Sequence, residues 1–209
     1  MQTLNLEDVY KYKALIFDLD GTLVDSEPCH LKAWLDVLAK YNLPPMDLDY
    51  MQKVGGISTY KICEMYCREH HRPELDTKSI ALEKIALYKQ KYMQEVSLHP
   101  YIASILCEAH DKGIKTAVAT GSQLPETEFL LKKHNLLEKI DTIVSSDQVV
   151  HCKPAPDTYL TASRRLSTSP TQCLVFEDTN IGLQGIKAAG MTAVQVFEGK
   201  IISDFIYAD

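Results

Sequence analysis

Asp18 and Asp20 stand one residue apart at the end of the apolar run Ala14-Leu15-Ile16-Phe17, and Gly21-Thr22 follow at once. A run of this length, with lysines before it and a turn signal after it, reads as a strand buried on both faces. Side chains alternate along a strand, so the two carboxylates can project from one side of the chain as it leaves the sheet. Carboxylates packed together repel unless one holds a proton or a cation lies between them. A hard divalent cation such as Mg2+ suits the pair, because it takes oxygen ligands and sits readily beside phosphate. Asp is also an ordinary turn former, and D-x-D alone fits a plain turn after a strand.

Three later stretches add polar groups at strand ends. Ala119-Thr120-Gly121-Ser122 offers hydroxyls and free backbone N–H groups, which are good donors to phosphate oxygens and equally good helix caps. His151-Cys152-Lys153-Pro154-Ala155-Pro156-Asp157 holds one lysine between strand and helix, and Pro154 and Pro156 stiffen the loop, so Lys153 is restricted in where it points. Its ammonium suits a phosphoryl charge, or simply solvent. Leu174-Val175-Phe176 runs into Glu177-Asp178, two more oxygen donors for a hard cation, and Thr179-Asn180-Ile181-Gly182 then starts a helix.

These residues need a sheet to bring them together. A helix preceded by Ser26 as its cap carries Leu31, Trp34, Leu35 and Leu38 on one face and ends at Asn42-Leu43-Pro44-Pro45. From there to about Val96 the pattern is helical throughout. Ser58 caps a helix with Ile62, Met65 and Tyr66, and Asp76 or Thr77 caps one with Ile80, Ile85, Tyr88 and Tyr92. His70 and His71 point to different faces at a helix end, which argues against a shared metal. After Val96, helices alternate with strands at 115–119, 142–145, 173–176 and 192–196. Alternation of this kind predicts a parallel sheet with right-handed crossovers. The fold class is therefore α/β: a Rossmann-like parallel sheet core, 1–26 and 97–209, with an inserted α-helical cap, 27–96. Inserted just after Asp18 and Asp20, the cap belongs over the mouth of the sheet as a lid.

Composition bounds the function. The chain has 209 residues, enough for one α/β domain with an insert. A formal charge of -6, from 22 basic and 28 acidic side chains, argues against nucleic acid as a partner. No apolar run is long enough for a membrane span. Cys29, Cys63, Cys67, Cys107, Cys152 and Cys173 show neither C-x-x-C nor zinc spacing. Reduced thiols and a polar Met1–Lys13 segment fit a cytoplasmic protein, expected as a monomer.

Taken in order, Asp18-Leu19-Asp20-Gly21-Thr22-Leu23-Val24-Asp25-Ser26, the strand-end Thr120, Lys153-Pro154 and Glu177-Asp178 resemble the four motifs of the haloacid dehalogenase-like (HAD) phosphohydrolases. The helical insert is similar to the small cap of the subfamily with β-phosphoglucomutase, phosphoglycolate phosphatase and small sugar phosphatases. The resemblance implies that Asp18 is a nucleophile that becomes an aspartyl-phosphate, and that Asp20 is general acid and then base. It implies that Thr120 and Lys153 bind the transferring phosphoryl group. Mg2+ would be held by Asp18, the Asp20 carbonyl, Asp178 and Glu177, the last directly or through water. The ligand would be a small phosphorylated metabolite.

Asp25 to Trp34, Thr120 to Ser122, Lys153 to Thr158 and Gln172 to Asp178 look most like bacterial fructose-1-phosphate/6-phosphogluconate phosphatases. Gly121, Ser122, His30, Gly56 and Ser58 are the candidate substrate-binding residues. β-Phosphoglucomutase is the competing reading, and His30 matches a histidine of the mutase. A mutase must hold a second phosphate, yet Thr59 stands where an arginine is expected, and Gln123 and Leu124 where a lysine and an asparagine are. An uncharged side chain does not replace a bidentate guanidinium, so hydrolysis is the favoured chemistry. A non-catalytic binding module would normally lack one of Asp18, Asp20, Lys153 or Asp178, and all four are present.

Overall fold

The computed structural model describes residues 5–55 and 57–207, with no account of the Gln52 side chain. The chain divides into two compact units, Met1–Asp25 with Ser97–Asp209, and Ser26–Val96. The division falls one residue earlier than the sequence places it.

The first unit opens with a short helix α1 (Leu6–Val9), the strand β1 (Ala14–Phe17) and the two-residue β2 (Val24–Asp25). The second unit holds α2 (Glu27–Lys40), α3 (Leu48–Lys53), α4 (Thr59–Glu69) and α5 (Thr77–Leu87), which runs into a wider π-helical turn at Tyr88–Tyr92. The chain returns to the first unit through β3 (Ser97–Leu98) and then alternates. In turn come α6 (Pro100–Asp111), β4 (Lys115–Ala119), α7 (Leu124–Lys133), β5 (Thr142–Val144), α8 (Asp157–Arg165) and β6 (Cys173–Glu177). Helix α9 (Asn180–Ala188), β7 (Thr192–Phe197) and β8 (Lys200–Ile201) complete it.

The six-stranded sheet has the order β5-β4-β1-β6-β7-β8. Every pairing is parallel except that of β8 with β7. β1 lies between β4 and β6, so its side chains are covered on both faces. Leu15, Ile16 and Phe17 are fully buried, worth about 1.5–3 kcal/mol each. The rings of Phe17 and Phe176 stack across the β1–β6 pair with centroids 4.7 Å apart. From β1 the chain fills one side of the sheet with β4 and β5, then returns to place β6 and β7 on the other. The winding reverses at β1, and in open α/β sheets ligands bind at the carboxyl end of such a strand.

β2 and β3 form a separate antiparallel ribbon, pairing Val24 with Leu98 and Asp25 with Ser97. Two-residue strands leave no periodicity to read. β8 and the bridge from Ala193 to Ile206 were not expected either; they cover the β7 edge.

The helical unit has its own core, which includes Trp34, Val37, Leu38, Ile62, Cys63, Tyr66, Cys67 and Ile80. Three sequence expectations are corrected here. Leu35 is 37% exposed, because the buried stripe of α2 runs through Ala33, Trp34, Val37 and Leu38. Ser26 is buried and its side chain makes no capping bond to α2, its backbone being already helical. On α5 the buried stripe runs through Ile80, Ala81 and Lys84, with Ile85 half-buried. The expected cap residues of α4 and α5 do act as caps: Ser58 Oγ accepts from Lys61 N, and Asp76 accepts from Lys78 N and Ser79 N.

Candidate active site

Each strand end contributes one group. Asp18 follows β1 directly, and its N–H donates to the Phe176 carbonyl at 2.9 Å, which fixes it in register beside Glu177. The loop after it is tight: the N–H groups of Thr22, Leu23 and Val24 all donate to the Leu19 carbonyl. Gly21 is the residue that permits this turn. Its φ is +76°, and a Cβ there would lie 2.3 Å from Asp178 Oδ2.

Lys153 is the centre of charge. Its Nζ donates to Asp18 Oδ1 at 2.7 Å and to Glu177 Oε2 at 2.8 Å, with only 8% of its side chain exposed. Burial works against its charge, but Asp18 and Glu177 outweigh that and hold its pKa well above the usual lysine value. Glu177 is fully buried; burial alone would raise its pKa, yet Lys153 and three further donors hold it below the usual carboxylate range.

Asp18 and Asp178 go the other way. Burial, and then the charge of Glu177, push Asp18 up to about 7 against the pull of Lys153. Burial, and then the charges of Asp18 and Glu177, push Asp178 up to about 9. Two acids driven toward the neutral form at one strand-end cluster mark a place built for a cation. Asp18, Glu177 and Asp178 each offer an oxygen within 4.8 Å of the others, an all-oxygen set that fits a hard divalent ion. The Thr22 hydroxyl donates to Asp178 Oδ1 at 3.1 Å and so steadies this carboxylate.

Asp20 is bonded to the end of β4. Ser122 Oγ donates to Asp20 Oδ2 at 2.6 Å, and Thr120 Oγ1 accepts from Ser122 N at 3.0 Å. Thr120 is buried and Gly121 exposed beside it. The first unit thus brings together Asp18, Asp20, Thr120, Ser122, Lys153, Glu177 and Asp178.

Two candidates belong to the helical unit and are described within it. Ser58 is exposed and caps α4. His30 Nδ1 lies 2.8 Å from Lys84 Nζ, and its ring stacks on Tyr88 with centroids 3.9 Å apart. An ammonium only donates, so Nδ1 accepts and the ring proton sits on Nε2. Burial, and then the nearby Lys84 charge, lower the His30 pKa well below the usual value. Gly56 lies outside the described residues.

The sequence reading overlooked Lys84 and the hydroxyl of Tyr159. Lys84 left a signal: Ile80, Lys84 and Tyr88 share one four-residue spacing, so a charge stands in an otherwise apolar stripe.

A carboxylate cluster with a buried lysine, set at the reversal strand of a parallel sheet, defines the class as an α/β protein whose site is built on carboxylates. Residues 15–196 match the haloacid dehalogenase-like hydrolase family, and the chain belongs to it. The fructose-1-phosphate phosphatase YqaB of Escherichia coli is 39% identical over 89% of this chain and 97% of its own length. The β-phosphoglucomutase of Bacillus subtilis is 32% identical over 90% of this chain and 84% of its own. A crystal structure of CbbY from Rhodobacter sphaeroides in complex with phosphate has a TM-score of 0.76 at 28% identity, covering 90% of this chain and 88% of that one. The protein is an enzyme of the sugar phosphatase and phosphomutase group of this family. Among the described residues no helix is long and apolar enough to cross a membrane.

Proposed function

We propose that this enzyme is a Mg2+-dependent phosphomonoesterase that hydrolyses small sugar phosphates of the fructose 1-phosphate and 6-phosphogluconate kind. The observation that carries the reading is the buried Lys153, whose Nζ bonds Asp18 at 2.7 Å while Asp178 stands within metal-sharing distance of the same aspartate. That is a nucleophile, a cation for the phosphoryl group and a second oxygen ligand in one cluster.

In the first half-reaction an Asp18 oxygen attacks phosphorus and the bond from phosphorus to the sugar oxygen breaks. Asp20 gives its proton to the departing oxygen. In the second half, water attacks phosphorus, Asp20 takes the water proton, and inorganic phosphate leaves with Asp18 restored. Lys153 and Thr120 hold the equatorial phosphoryl oxygens throughout. Asp18, Asp178 and the Asp20 carbonyl would hold Mg2+, with Glu177 beside Asp178 adding negative charge to the site while its own oxygens are taken by Lys153, Tyr159 and Thr179. The ion supplies screening between the anionic nucleophile and the phosphate. We assign substrate selection to Gly121 and Ser122 and to His30, Gly56 and Ser58 of the helical unit.

Hydrolysis is favoured over mutation of the sugar because Thr59, Gln123 and Leu124 carry no charge for a second phosphate. His30 and the likeness to β-phosphoglucomutase support the mutase as the second reading. The test is phosphate release from a panel of sugar phosphates with Mg2+ and with EDTA, run beside conversion of β-glucose 1-phosphate to glucose 6-phosphate. Metal-dependent release without isomerisation is expected. Isomerisation with little free phosphate would overturn the phosphatase in favour of the mutase.

A further inference from the structure

We propose that Tyr159 is a positioning residue, whose hydroxyl holds Glu177 in the orientation that aims Lys153 at Asp18. The inference rests on the reading of Lys153 as the cation for the transferring phosphoryl group.

Tyr159 lies on α8 and is fully buried. Its hydroxyl donates to Glu177 Oε2 at 2.7 Å, the oxygen that also accepts from Lys153 Nζ at 2.8 Å. The other oxygen, Oε1, accepts from Thr179 N at 3.0 Å and Thr179 Oγ1 at 2.6 Å. An ionised carboxylate has roughly four lone-pair sites, and four protein donors fill them. Glu177 is thereby fixed from both ends, and Lys153 with it.

A helix face packed against a sheet needs no hydroxyl at this position, and burying one costs free energy unless it is bonded. The neighbouring helix is shaped to the same pair. A Cβ on Gly182 of α9 would lie 2.0 Å from Glu177 Cδ, and one on Gly185 would lie 3.1 Å from the Tyr159 ring. The α9 backbone therefore closes directly over both side chains. Lys153 Nζ also lies 5.1 Å from the Tyr159 ring centroid, a contact that phenylalanine would preserve. Replacing Tyr159 with Phe thus subtracts the hydroxyl alone.

Without that donor a buried oxygen of Glu177 is left unmet, and the carboxylate turns to find another. Lys153 then loses its fixed aim, and Asp18 is less tied to the ammonium. The expected signature is a loss in turnover with substrate binding kept, and a gain in metal affinity. The experiment compares wild type with Tyr159→Phe in phosphate release, in thermal melting, and in calorimetric titration of Mg2+ alone into the metal-free protein. We expect kcat to fall about 5- to 20-fold with KM within about twofold, since a misaimed Lys153 loses more of its hold on the charge that develops in the transition state than on the bound substrate. We expect Mg2+ to bind about threefold more tightly, as outer partners of metal ligands tune affinity. An unchanged kcat together with an unchanged Mg2+ affinity overturns the proposal, even if melting is lowered, because the hydroxyl would then serve packing alone. A wild type that releases no phosphate from any sugar phosphate overturns the functional reading instead, and the Mg2+ titration still decides the link from Tyr159 to Glu177.

Discussion

Among the described residues, Lys153 and Lys84 carry side chains almost wholly withdrawn from solvent, and in different surroundings. Lys153, in the sheet unit, lies between two carboxylates. Lys84, in the helical unit, is 3% exposed and sits 2.8 Å from an imidazole nitrogen and 5.3 Å from the ring centroids of Trp34 and Tyr88. The first is a full ion pair that offsets its desolvation with opposite charge. The second has ring faces and a neutral imidazole acceptor among its contacts. A buried charge is therefore not one kind of object. Lys153 balances a cluster of acids, and its removal disturbs them; Lys84 orders the tautomer of one histidine.

The widest separation between the two units is in turnover. Asp18→Asn removes the group that Lys153 serves, and kcat for phosphate release is expected to drop by about 1,000-fold or more while the melting profile stays cooperative. Near-wild-type activity in that variant removes the nucleophile assignment. Lys153→Met is next. It leaves Asp18 and Glu177 buried without their cation, so a loss of about 3–5 kcal/mol of stability is expected in urea unfolding. Lys84→Met, which keeps the stem and drops the ammonium, is expected to change stability by no more than about 1–2 kcal/mol. Equal losses in the two variants would erase the contrast drawn above.

The pH dependence sharpens the same contrast. Asp18 and Asp178 are pushed up to about 7 and about 9 from the usual 3.8. For an acid whose folded pKa is raised, the folded state holds its proton longer than the unfolded state does. The stability this contributes is complete below the unfolded value, declines as pH climbs, and is fully lost above the folded one. The metal-free protein is thus expected to weaken between about pH 4 and pH 9 through these two groups. Mg2+ offsets this by binding the ionised pair, so its melting shift should be larger at pH 9 than at pH 6. A shift that is equal or reversed counts against Asp18 and Asp178 as ligands. The smallest effect expected is that of Thr59→Arg, a gain of roughly 1 kcal/mol in binding of bisphosphorylated sugars, read by calorimetry. Unchanged affinity counts against the reading of the loop before α4.

Much of this was legible in the chain. Buried parallel strands are continuous apolar runs, so β1, β4, β6 and β7 announced themselves, and the polar residues at the ends of β1, β4 and β6 make up the candidate site. Lys153 was legible because two prolines, Pro154 and Pro156, follow it and stiffen the loop that carries it. Lys84 was not weighed, because helical lysines are ordinarily solvated and only its register with Ile80 and Tyr88 marks it. The role of the Tyr159 hydroxyl depends on where Glu177 points, a relation between α8 and β6 that no local pattern encodes. The bond from the Ser122 hydroxyl to Asp20 was not legible either, because it is set by the adjacency of β1 and β4.

The small ribbon of β2 and β3 has a consequence for the architecture as a piece of modular construction. Asp25 pairs with Ser97, so the points where the chain leaves the sheet unit and rejoins it are neighbours. The whole Ser26–Val96 segment is, from the standpoint of the sheet, a single loop whose ends already meet. The entropic cost of closing a loop rises only by about 0.6 kcal/mol per doubling of its length. The sheet unit is therefore nearly indifferent to how much chain is spliced in there. A lineage can lengthen, shorten or exchange the helical segment while the strand ends of the sheet unit stay where they are.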